Sequence, residues 1–429
     1  MDLAIIFISL LLLMFFAYRG FSLIFIAPIF AVLAAITSDY TSMPVYSELY
    51  MTKAAEYIKS YYPVFLLGAV FAKIMEEGGL AASVAAKIVS VLGKERAILA
   101  VLLGCGVLTY GGLSVFVVAF VMYPFAAILF KQADIPKRLL PAILWMGIFT
   151  YSMVSLPGTP QIQNIIPAAV FGTTTWAGIG QGLLASILFF IIAYVWISYR
   201  SKSLKAKGEG YGKHTLNEPE NTNDELPDWR LSSIPLLMVI IINLYVSNPF
   251  NWSWAFHWDQ NSLLAFAPLK LSLIASSVAK VQAIWSINVA LLISSIVAAY
   301  IGRKKLRRLG GVIHPINTGA IGSTSAVLNV ASGYAFGCVI AALPAFAMIK
   351  SALLGLSFGD GPLFSSIITT NIMVGITGSS SAGLMITVGT FGQEWLTWAQ
   401  QLVCPQKFYI VLSALLLKDL ILYLMLGHL

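Results

Sequence analysis

The sequence LLPAILWMGIFTYSMVSLPGTPQIQN, residues 139–164, joins an apolar run to a segment rich in proline, glycine and amide side chains. The run 139–156 is apolar enough to enter a bilayer, and no charged residue separates it from the polar segment 156–164. Irregular backbone at membrane depth is tolerated only where protein buries it or where it lines a cavity. The stretch therefore predicts a helix that breaks inside the membrane at 156–164.

The rest of the chain is a series of similar apolar runs. Its 429 residues are 59% hydrophobic and 10% charged, whereas soluble chains carry about 25% charged residues. Because one span takes about 20 residues, we predict an all-α polytopic membrane protein with roughly 10–12 transmembrane helices. This composition excludes a secreted enzyme, a nucleic-acid-binding protein and a disordered chain. The other runs lie at 3–17, 21–37, 62–75, 97–130, 179–198, 232–248, 283–301, 333–354, 363–391 and 408–427.

Charged loops predict the topology. The formal net charge is +8, and lysine and arginine accumulate in cytoplasmic loops of membrane proteins. The polar segment 200–230 is the longest such loop, and it divides the chain into an N-terminal half, 1–199, and a C-terminal half, 231–429. We expect this linker to be cytoplasmic and mobile. If the basic cluster at 303–308 is also cytoplasmic, the stretch 263–280 cannot be a full crossing, and we predict that it is interfacial or re-entrant.

Cofactor chemistry has no signature in the sequence. Cys105, Cys338 and Cys404 are far apart in or beside apolar runs, which predicts neither a disulfide framework nor a metal site. The phosphate-binding pattern G-x-x-x-x-G-K-[ST] does not occur, so this chain does not supply energy from ATP. The acids and histidines do not group as a nucleophile with its base. We therefore expect no cofactor and no enzyme, a lipid-modifying transferase being the weaker alternative.

Four clusters of small and polar residues interrupt the apolar sequence, two in each half. Such paired interruptions indicate the binding site of a secondary transporter, and the N-terminus of a half-helix suits an anion. The alternative is that small residues let helices approach closely, which we favour for the first cluster taken alone. The first cluster also predicts that the run 97–130 is either two shorter passes or a broken helix pair. The clusters are TYGGLSVF (109–116), LPGTPQIQN (156–164), NTGAIGSTSAVLNVASG (317–333) and NIMVGITGSSSAG (371–383).

Neutral donors should hold the ligand, since all arginines lie in or beside predicted loops. Glycines would allow close backbone approach, and hydroxyl and amide side chains would bond a carboxylate and its hydroxyl groups. Such a site fits a small hydroxylated carboxylate better than a bulky apolar molecule. The predicted substrate-binding residues are Gly111, Gly112, Gly158, Thr159, Gln161, Gln163, Asn164, Ser323, Thr324, Ser325, Asn329, Gly378, Ser379, Ser380 and Ser381.

Proton-coupling candidates are the few ionisable groups near membrane depth. Glu76 and Glu77 are favoured because Lys73 lies one turn away on the same helical face. His314, at the start of the third cluster, is a further candidate because its side chain changes its charge near neutral pH, although for this residue we favour the alternative of a loop histidine beside Pro315. Broken helices hold Na⁺ as readily, so the residues leave the coupling ion open. The tyrosine-rich stretch 38–61 is predicted to be an interfacial helix or, equally, an extramembrane loop.

These motifs resemble the gluconate permease family, and the resemblance extends over residues 60–384. It is carried by YPVFLLGAVFAKIMEEGG (62–79), LTYGGLSVFVVAFVMYPFA (108–126), IPKRLLPA (135–142), LPGTPQIQNIIP (156–167) with FGTT (171–174), NVASGYAFGCVI (329–340) and GITGSSSAGL (375–384). The resemblance implies a fold of two inverted-repeat halves with re-entrant hairpins and broken helices. It also implies a bacterial cytoplasmic-membrane symporter for H⁺ and gluconate or a related acid such as 3-hydroxybutyrate.

Two alternatives follow from the same sequence. The family's later motif Gly-Leu-Asp-Ser-Leu-Pro-His-Asn-Gly does not follow the GITGSSSAGL segment here, which leaves open a non-transporting paralogue. The other alternative is a Na⁺-coupled organic-anion symporter. Apart from substrate, coupling ion and lipid bilayer, we expect no nucleic-acid partner, and a homo-oligomer is compatible with the sequence.

Overall fold

The computed structural model describes residues 2–36, 40–214, 218, 226–269, 274–355, 361–377 and 380–401, and this part of the chain is helical with no strand. The last predicted span, 408–427, lies outside the described residues. The helices of the first half are α1 Asp2–Tyr18, α2 Leu23–Ile36, α3 Ser42–Glu77, α4 Leu80–Leu92, α5 Ala97–Tyr110, α6 Val115–Gln132, α7 Leu140–Phe149, α8 Ile162–Phe171 and α9 Ile179–Ala206. Those of the second half are α10 Trp229–Ser247, α11 Gln282–Arg308, α12 Ile313–Ala342, α13 Phe346–Leu354, α14 Leu363–Thr377 and α15 Ser380–Gln401.

Membrane-spanning helices dominate this architecture. Within the described residues, 7 helical segments are long and apolar enough to cross a bilayer, and further apolar helices of 10–17 residues accompany them. Their outer faces are apolar: on α9, for example, Leu184 is 61% exposed and Val195 is 57% exposed. Such faces are stable in contact with lipid chains rather than water. The predicted all-α polytopic membrane fold is therefore confirmed.

The predicted interruption of the run 97–130 is present. Helix α5 ends at Tyr110, and α6 begins at Val115 after the turn that contains Gly111 and Gly112. Gly112 has a φ of +94°, a conformation that side-chain-bearing residues rarely adopt. Ser114 caps α6, since its hydroxyl accepts a hydrogen bond from the Val117 N–H at 3.4 Å. The small residues at 111–114 thus end one helix and start the next.

The third cluster does not break its helix, which corrects the prediction for 317–333. Helix α12 is continuous from Ile313 to Ala342. A Cβ on Gly319 would lie 2.8 Å from the Val70 Cα, so the glycine allows α12 to contact the α3 backbone. The Ser323 hydroxyl donates to the Ala320 carbonyl at 2.7 Å. Here the small residues allow close packing of helices, and the hydroxyl groups donate hydrogen bonds to carbonyls of their own helix.

The tyrosine-rich stretch is helical, but its tyrosines do not all face a membrane surface. The chain is helical from Ser42 to Glu77, so the loop alternative for 38–61 is wrong for the described residues 42–61. Tyr57 is 0% exposed, and its ring lies 4.8 Å from that of Tyr61 and 5.6 Å from that of Tyr334. Aromatic packing between α3 and α12 therefore explains these two tyrosines better than an interfacial position. Tyr40 and Tyr46 remain exposed.

The stretch 263–280 contains only short 3-10 turns in its described part, Leu264–Leu269 and Val278–Lys280. Six residues in a 3-10 turn rise about 12 Å, far less than a bilayer core of about 30 Å. These turns agree with the prediction that this stretch is not a full crossing.

The polar linker is docked on the first half where it is described. Arg138 pairs with Glu209 at 2.7 Å, Lys137 pairs with Glu218 at 2.7 Å, and the Tyr211 N–H donates to Asp134 at 2.9 Å. The hydrogen bond from Lys137 lowers the pKa of Glu218 to about 2. Since this carboxylate stays charged at any physiological pH, the contact does not depend on proton uptake. The division into halves at 200–230 remains a prediction.

Candidate functional site

The segment 156–161 forms an irregular turn between α7 and α8. A π-helical segment, Tyr151–Ser155, extends α7 before the turn begins. Gly158 has a φ of +76°, and its N–H donates to the Thr175 carbonyl at 2.9 Å. The Tyr110 hydroxyl donates to the Pro157 carbonyl at 2.6 Å. The predicted helix break is therefore present, and neighbouring protein groups satisfy its backbone.

Three of the predicted substrate-binding residues hold this turn in place, because their side chains donate hydrogen bonds to backbone carbonyls. Gln161 Nε2 donates to the carbonyls of Thr109 at 2.9 Å and Leu113 at 3.2 Å. Asn164 Nδ2 donates to the carbonyls of Thr159 at 3.1 Å and Thr175 at 2.8 Å. The Thr159 hydroxyl donates to the Ser152 carbonyl at 3.0 Å. In this structure these side chains position the backbone, and their contact with a substrate stays a prediction.

Asn243, which the sequence analysis did not single out, joins the second half to the same turn. It lies in α10 and is 0% exposed. Its Nδ2 donates to the Gly158 carbonyl at 3.2 Å and to the Thr175 hydroxyl at 3.0 Å. Its Oδ1 is buried without a hydrogen-bond partner among the described residues. The signal that could have identified it was its position as the single amide within the apolar helix α10.

The second and fourth clusters meet at one hydrogen bond between Gln163 and Ser380. Gln163 Nε2 donates to the Ser380 hydroxyl at 2.9 Å. Gln163 is 4% exposed, and its Oε1 is buried with no partner in the described part of the chain. Ser381 is 7% exposed beside it in sequence, whereas Gly378 and Ser379 lie outside the described residues. Residues 217 positions apart in sequence thus form one polar contact.

Two helix N-termini converge at this contact. Ile162 is the first residue of α8, and Ser380 is the first residue of α15. The helices then run side by side, because a Cβ on Gly392 would lie 3.5 Å from the Phe171 ring. The side chain of the N-cap residue, Gln161, makes no capping hydrogen bond at the start of α8. Unpaired N–H groups and the partial positive charge of a helix N-terminus favour an anion at such a place.

Helix α15 is half of a tight helical hairpin with α14. A Cβ on Gly383 would lie 2.5 Å from the Val374 Cα, so the two backbones touch close to the end of α14 and the start of α15. At the other end, the Trp395 Nε1–H donates to the Ser365 hydroxyl at 3.2 Å. The hairpin thus places the start of α15 at its tip, opposite the turn that precedes α8.

Gly111 and Gly112 serve packing in this structure. A Cβ on Gly111 would lie 2.5 Å from the Leu236 Cδ2, and one on Gly112 would lie 3.4 Å from the Pro160 Cγ. The 111–114 turn therefore lies against α10 and against the second cluster. This geometry agrees with the packing interpretation that we favoured for the first cluster alone.

The predicted α12 residues separate into two groups. Ser323 is buried, and the hydroxyls of Ser323 and Thr324 both donate to the Ala320 carbonyl. Ser325 and Asn329 are exposed. In the part of the chain that the structure describes, none of these four side chains forms a hydrogen bond with Gln163 or Ser380, so their role at that contact stays a prediction.

The predicted proton-coupling residues form two pairs. His314 Nδ1 lies 3.1 Å from Glu77 Oε2, which joins the start of α12 to the end of α3. Lys73 pairs with Glu76 at 2.8 Å within α3. The Glu77 side chain is 15% exposed, against 62% for His314. His314 therefore has a carboxylate partner from another helix, which the sequence did not predict.

Taken together, a broken helix and a helical hairpin meet at neutral polar side chains inside a bundle of membrane-spanning helices, an arrangement that fits a membrane transporter. The chain belongs to the GntP permease family, since residues 1–391 match the family described as GntP family permease. The predicted family resemblance is thus confirmed. A curated relative, the uncharacterized transporter YxjC of Bacillus subtilis (strain 168), is 38% identical over 426 residues, which cover 96% of this chain and 88% of that protein.

A solved structure shares the fold. The YdaH transporter of Alcanivorax borkumensis, described as having an unusual topology, superposes with a TM-score of 0.51. The alignment covers 88% of this chain and 80% of that chain, with 16% sequence identity. At this identity the likeness concerns the fold alone.

Proposed function

We propose that this transporter is a symporter for H⁺ and a small hydroxycarboxylate, such as gluconate or 3-hydroxybutyrate, in a bacterial cytoplasmic membrane. The Gln163–Ser380 contact carries the proposal, because it joins two helix N-termini to a buried amide oxygen that has no partner among the described residues. The N-termini suit the carboxylate. The free Gln163 Oε1 suits a substrate hydroxyl, which donates to it.

Uptake into proteoliposomes tests the proposal. Radiolabelled gluconate and 3-hydroxybutyrate are supplied with an inward H⁺ gradient or, separately, an inward Na⁺ gradient. We expect accumulation of at least one acid with the H⁺ gradient alone. Accumulation that needs the Na⁺ gradient would show that Na⁺, and not H⁺, is the coupling ion. If folded protein takes up neither acid, the proposed substrate class is contradicted.

Replacing Gln163 tests the substrate site. The Gln163→Leu variant removes both the bond to Ser380 and the free Oε1, so we expect KM for uptake to rise about tenfold, the equivalent of about 1.4 kcal/mol. Gln393→Leu makes the same chemical change at an exposed position of α15, and its KM should stay at the wild-type value. An unchanged KM in Gln163→Leu would place the substrate elsewhere.

Proton coupling is assigned to the pair of Glu77 and His314. Glu77 is a largely buried carboxylate with a histidine at 3.1 Å, and an acid in such surroundings is a candidate proton carrier. In Glu77→Gln, we expect the accumulation ratio under an H⁺ gradient to fall by about tenfold or more, while exchange of internal for external substrate continues. Glu56→Gln, in the Lys53–Glu56 pair of the same helix, is the matched control. Wild-type accumulation in Glu77→Gln would refute the assignment.

A further inference from the structure

One face of α12 changes its surroundings along the length of the helix. Residues 7 and 11 positions apart in an α-helix lie on one face, about two and three turns away. Gly322, Asn329 and Gly333 therefore share a face, and Ser325 borders it. Gly337 continues this face toward the C-terminal end of α12.

The hairpin helix α15 covers the C-terminal part of this face. A Cβ on Gly333 would lie 3.1 Å from the Ala382 Cβ, and one on Gly337 would overlap the Ile386 side chain. The cover begins near the first residues of α15, since Ala382 is only two residues from Ser380. The tip of the hairpin thus lies on α12 just beyond Asn329.

The N-terminal part of the face is open within the described structure. A Cβ on Gly322 would have no neighbouring atom within 4 Å. Ser325 and Asn329 are exposed, and no hydrogen bond of their side chains is found in the described residues. On the opposite side, Ser323 is 1% exposed and Val327 is 1% exposed against α3. The opening therefore belongs to one face of α12.

Water fits this open face better than lipid does. An amide in hydrocarbon without a hydrogen-bond partner costs about 4–8 kcal/mol, so Asn329 in contact with lipid chains would be strongly unfavourable. The lipid-compatible stripe of α11 is apolar, with Leu292 at 49% and Ile296 at 63% exposure, and on α12 the 75% exposed Ile321, one turn before Ser325, marks the edge at which the polar face meets lipid. Toward the N-terminal end of α12 the face continues with Thr318, four residues before Gly322, and His314 borders it. Polar groups therefore extend along this side of the helix from the hairpin tip to the Glu77–His314 pair.

We propose that this face of α12 lines a water-filled route from the Gln163–Ser380 contact to the membrane side on which Glu77 and His314 lie. Ser325 and Asn329 donate hydrogen bonds to the hydroxycarboxylate along the route. Because these donors are neutral, they hold the anion less tightly than a cationic side chain would. By the distribution of basic loops, this is the cytoplasmic side. The identity of the cargo rests on the proposed function, whereas the presence of water on the route does not.

Cysteine labelling tests the route. Starting from a protein in which Cys105, Cys338 and Cys404 are replaced by serine, single cysteines are introduced as Asn329→Cys and Ser325→Cys. Ser323→Cys is the buried control, and Ile296→Cys is the control exposed to lipid. Proteoliposomes are treated with a membrane-impermeant methanethiosulfonate, which reacts with the thiolate that forms in water.

We expect Asn329→Cys and Ser325→Cys to react at least about tenfold faster than both controls, because thiolate formation needs a hydrated surrounding. The reaction should occur from the side of the basic loops only. Reaction as slow as in the controls would overturn the route, whether lipid, a second copy or residues 402–429 cover the face.

Protection by substrate separates the route from the proposed cargo. An acid that the uptake assay shows to be transported should slow the labelling of Asn329→Cys. Fast labelling that such an acid does not slow would overturn the role of this face as its path. If neither acid is transported, fast one-sided labelling still supports the water-filled route, and only the substrate class fails.

Discussion

Gly158→Ala is expected to reduce the rate of uptake by about a hundredfold. The residue has a φ of +76°, and a left-handed conformation costs a residue with a Cβ about 1–2 kcal/mol. The new methyl group would also lie 2.5 Å from the Trp176 Cε2, and such overpacking costs about 1–3 kcal/mol. The turn must therefore move, and a loss of about 2.7 kcal/mol, within the range of these two costs together, corresponds to about a hundredfold.

A second glycine separates the two causes. Gly172 also has a positive φ, +63°, but a Cβ there would meet only the Ala279 Cβ at 3.7 Å. Gly172→Ala therefore adds backbone strain without overlap, and we expect a loss of at most about tenfold, as about 1–2 kcal/mol implies. Adding Trp176→Ala to Gly158→Ala should restore part of the uptake rate. Wild-type uptake in Gly158→Ala, with normal thermal stability, would show that the turn need not stay in its present position.

Much of the fold could be predicted because a bilayer restricts the possible structures. Every backbone polar group must be satisfied within the protein, so apolar runs become helices and polar interruptions become breaks. The breaks at 111–114 and at 156–161 were predicted on this ground. The meeting of Gln163 with Ser380 follows the same logic, since both clusters were predicted to converge on one site.

The third cluster shows where this reasoning fails. Segments rich in glycine, serine and threonine can break a helix where other protein groups bond the freed backbone N–H and C=O groups. The same residues let two helices pack closely where a neighbouring helix is present. Gly319 has such a neighbour in Val70, so α12 stays continuous. Sequence composition is the same in both cases, and only the position of α3 decides between them. The buried Tyr57 differs from the prediction for the same reason.

Side-chain contacts between elements that are far apart in the chain could not be predicted from the sequence either. Glu77 and His314 are 237 residues apart, and no periodicity relates the end of α3 to the start of α12. Asn243 was missed because a single amide in an apolar helix has no pattern around it. Its importance depends on which backbone carbonyl lies opposite, and this is a property of the folded chain.

Asn243→Leu is expected to reduce the uptake rate by as much as Gly158→Ala does, although it leaves the turn's own residues unchanged. The Gly158 carbonyl and the Thr175 hydroxyl would each lose a buried donor, and a buried polar group left unpaired costs about 1–3 kcal/mol. The loss falls on the turn rather than on α10, which keeps its helical hydrogen bonds. Because two groups lose their donor, we expect uptake to fall about a hundredfold, the equivalent of about 2.7 kcal/mol, while the protein still inserts and purifies as a folded species.

The matched control is Ser247→Ala, one turn further along α10. Ser247 is 6% exposed and its hydroxyl has no partner among the described residues, so its loss should leave uptake within about twofold of wild type. A double-mutant cycle with Thr175→Val identifies the bond itself. Because Asn243 and Thr175 share one hydrogen bond, the effects of the two single changes should not add. Additive losses would mean that Asn243 acts on transport by another route than through the turn at Gly158.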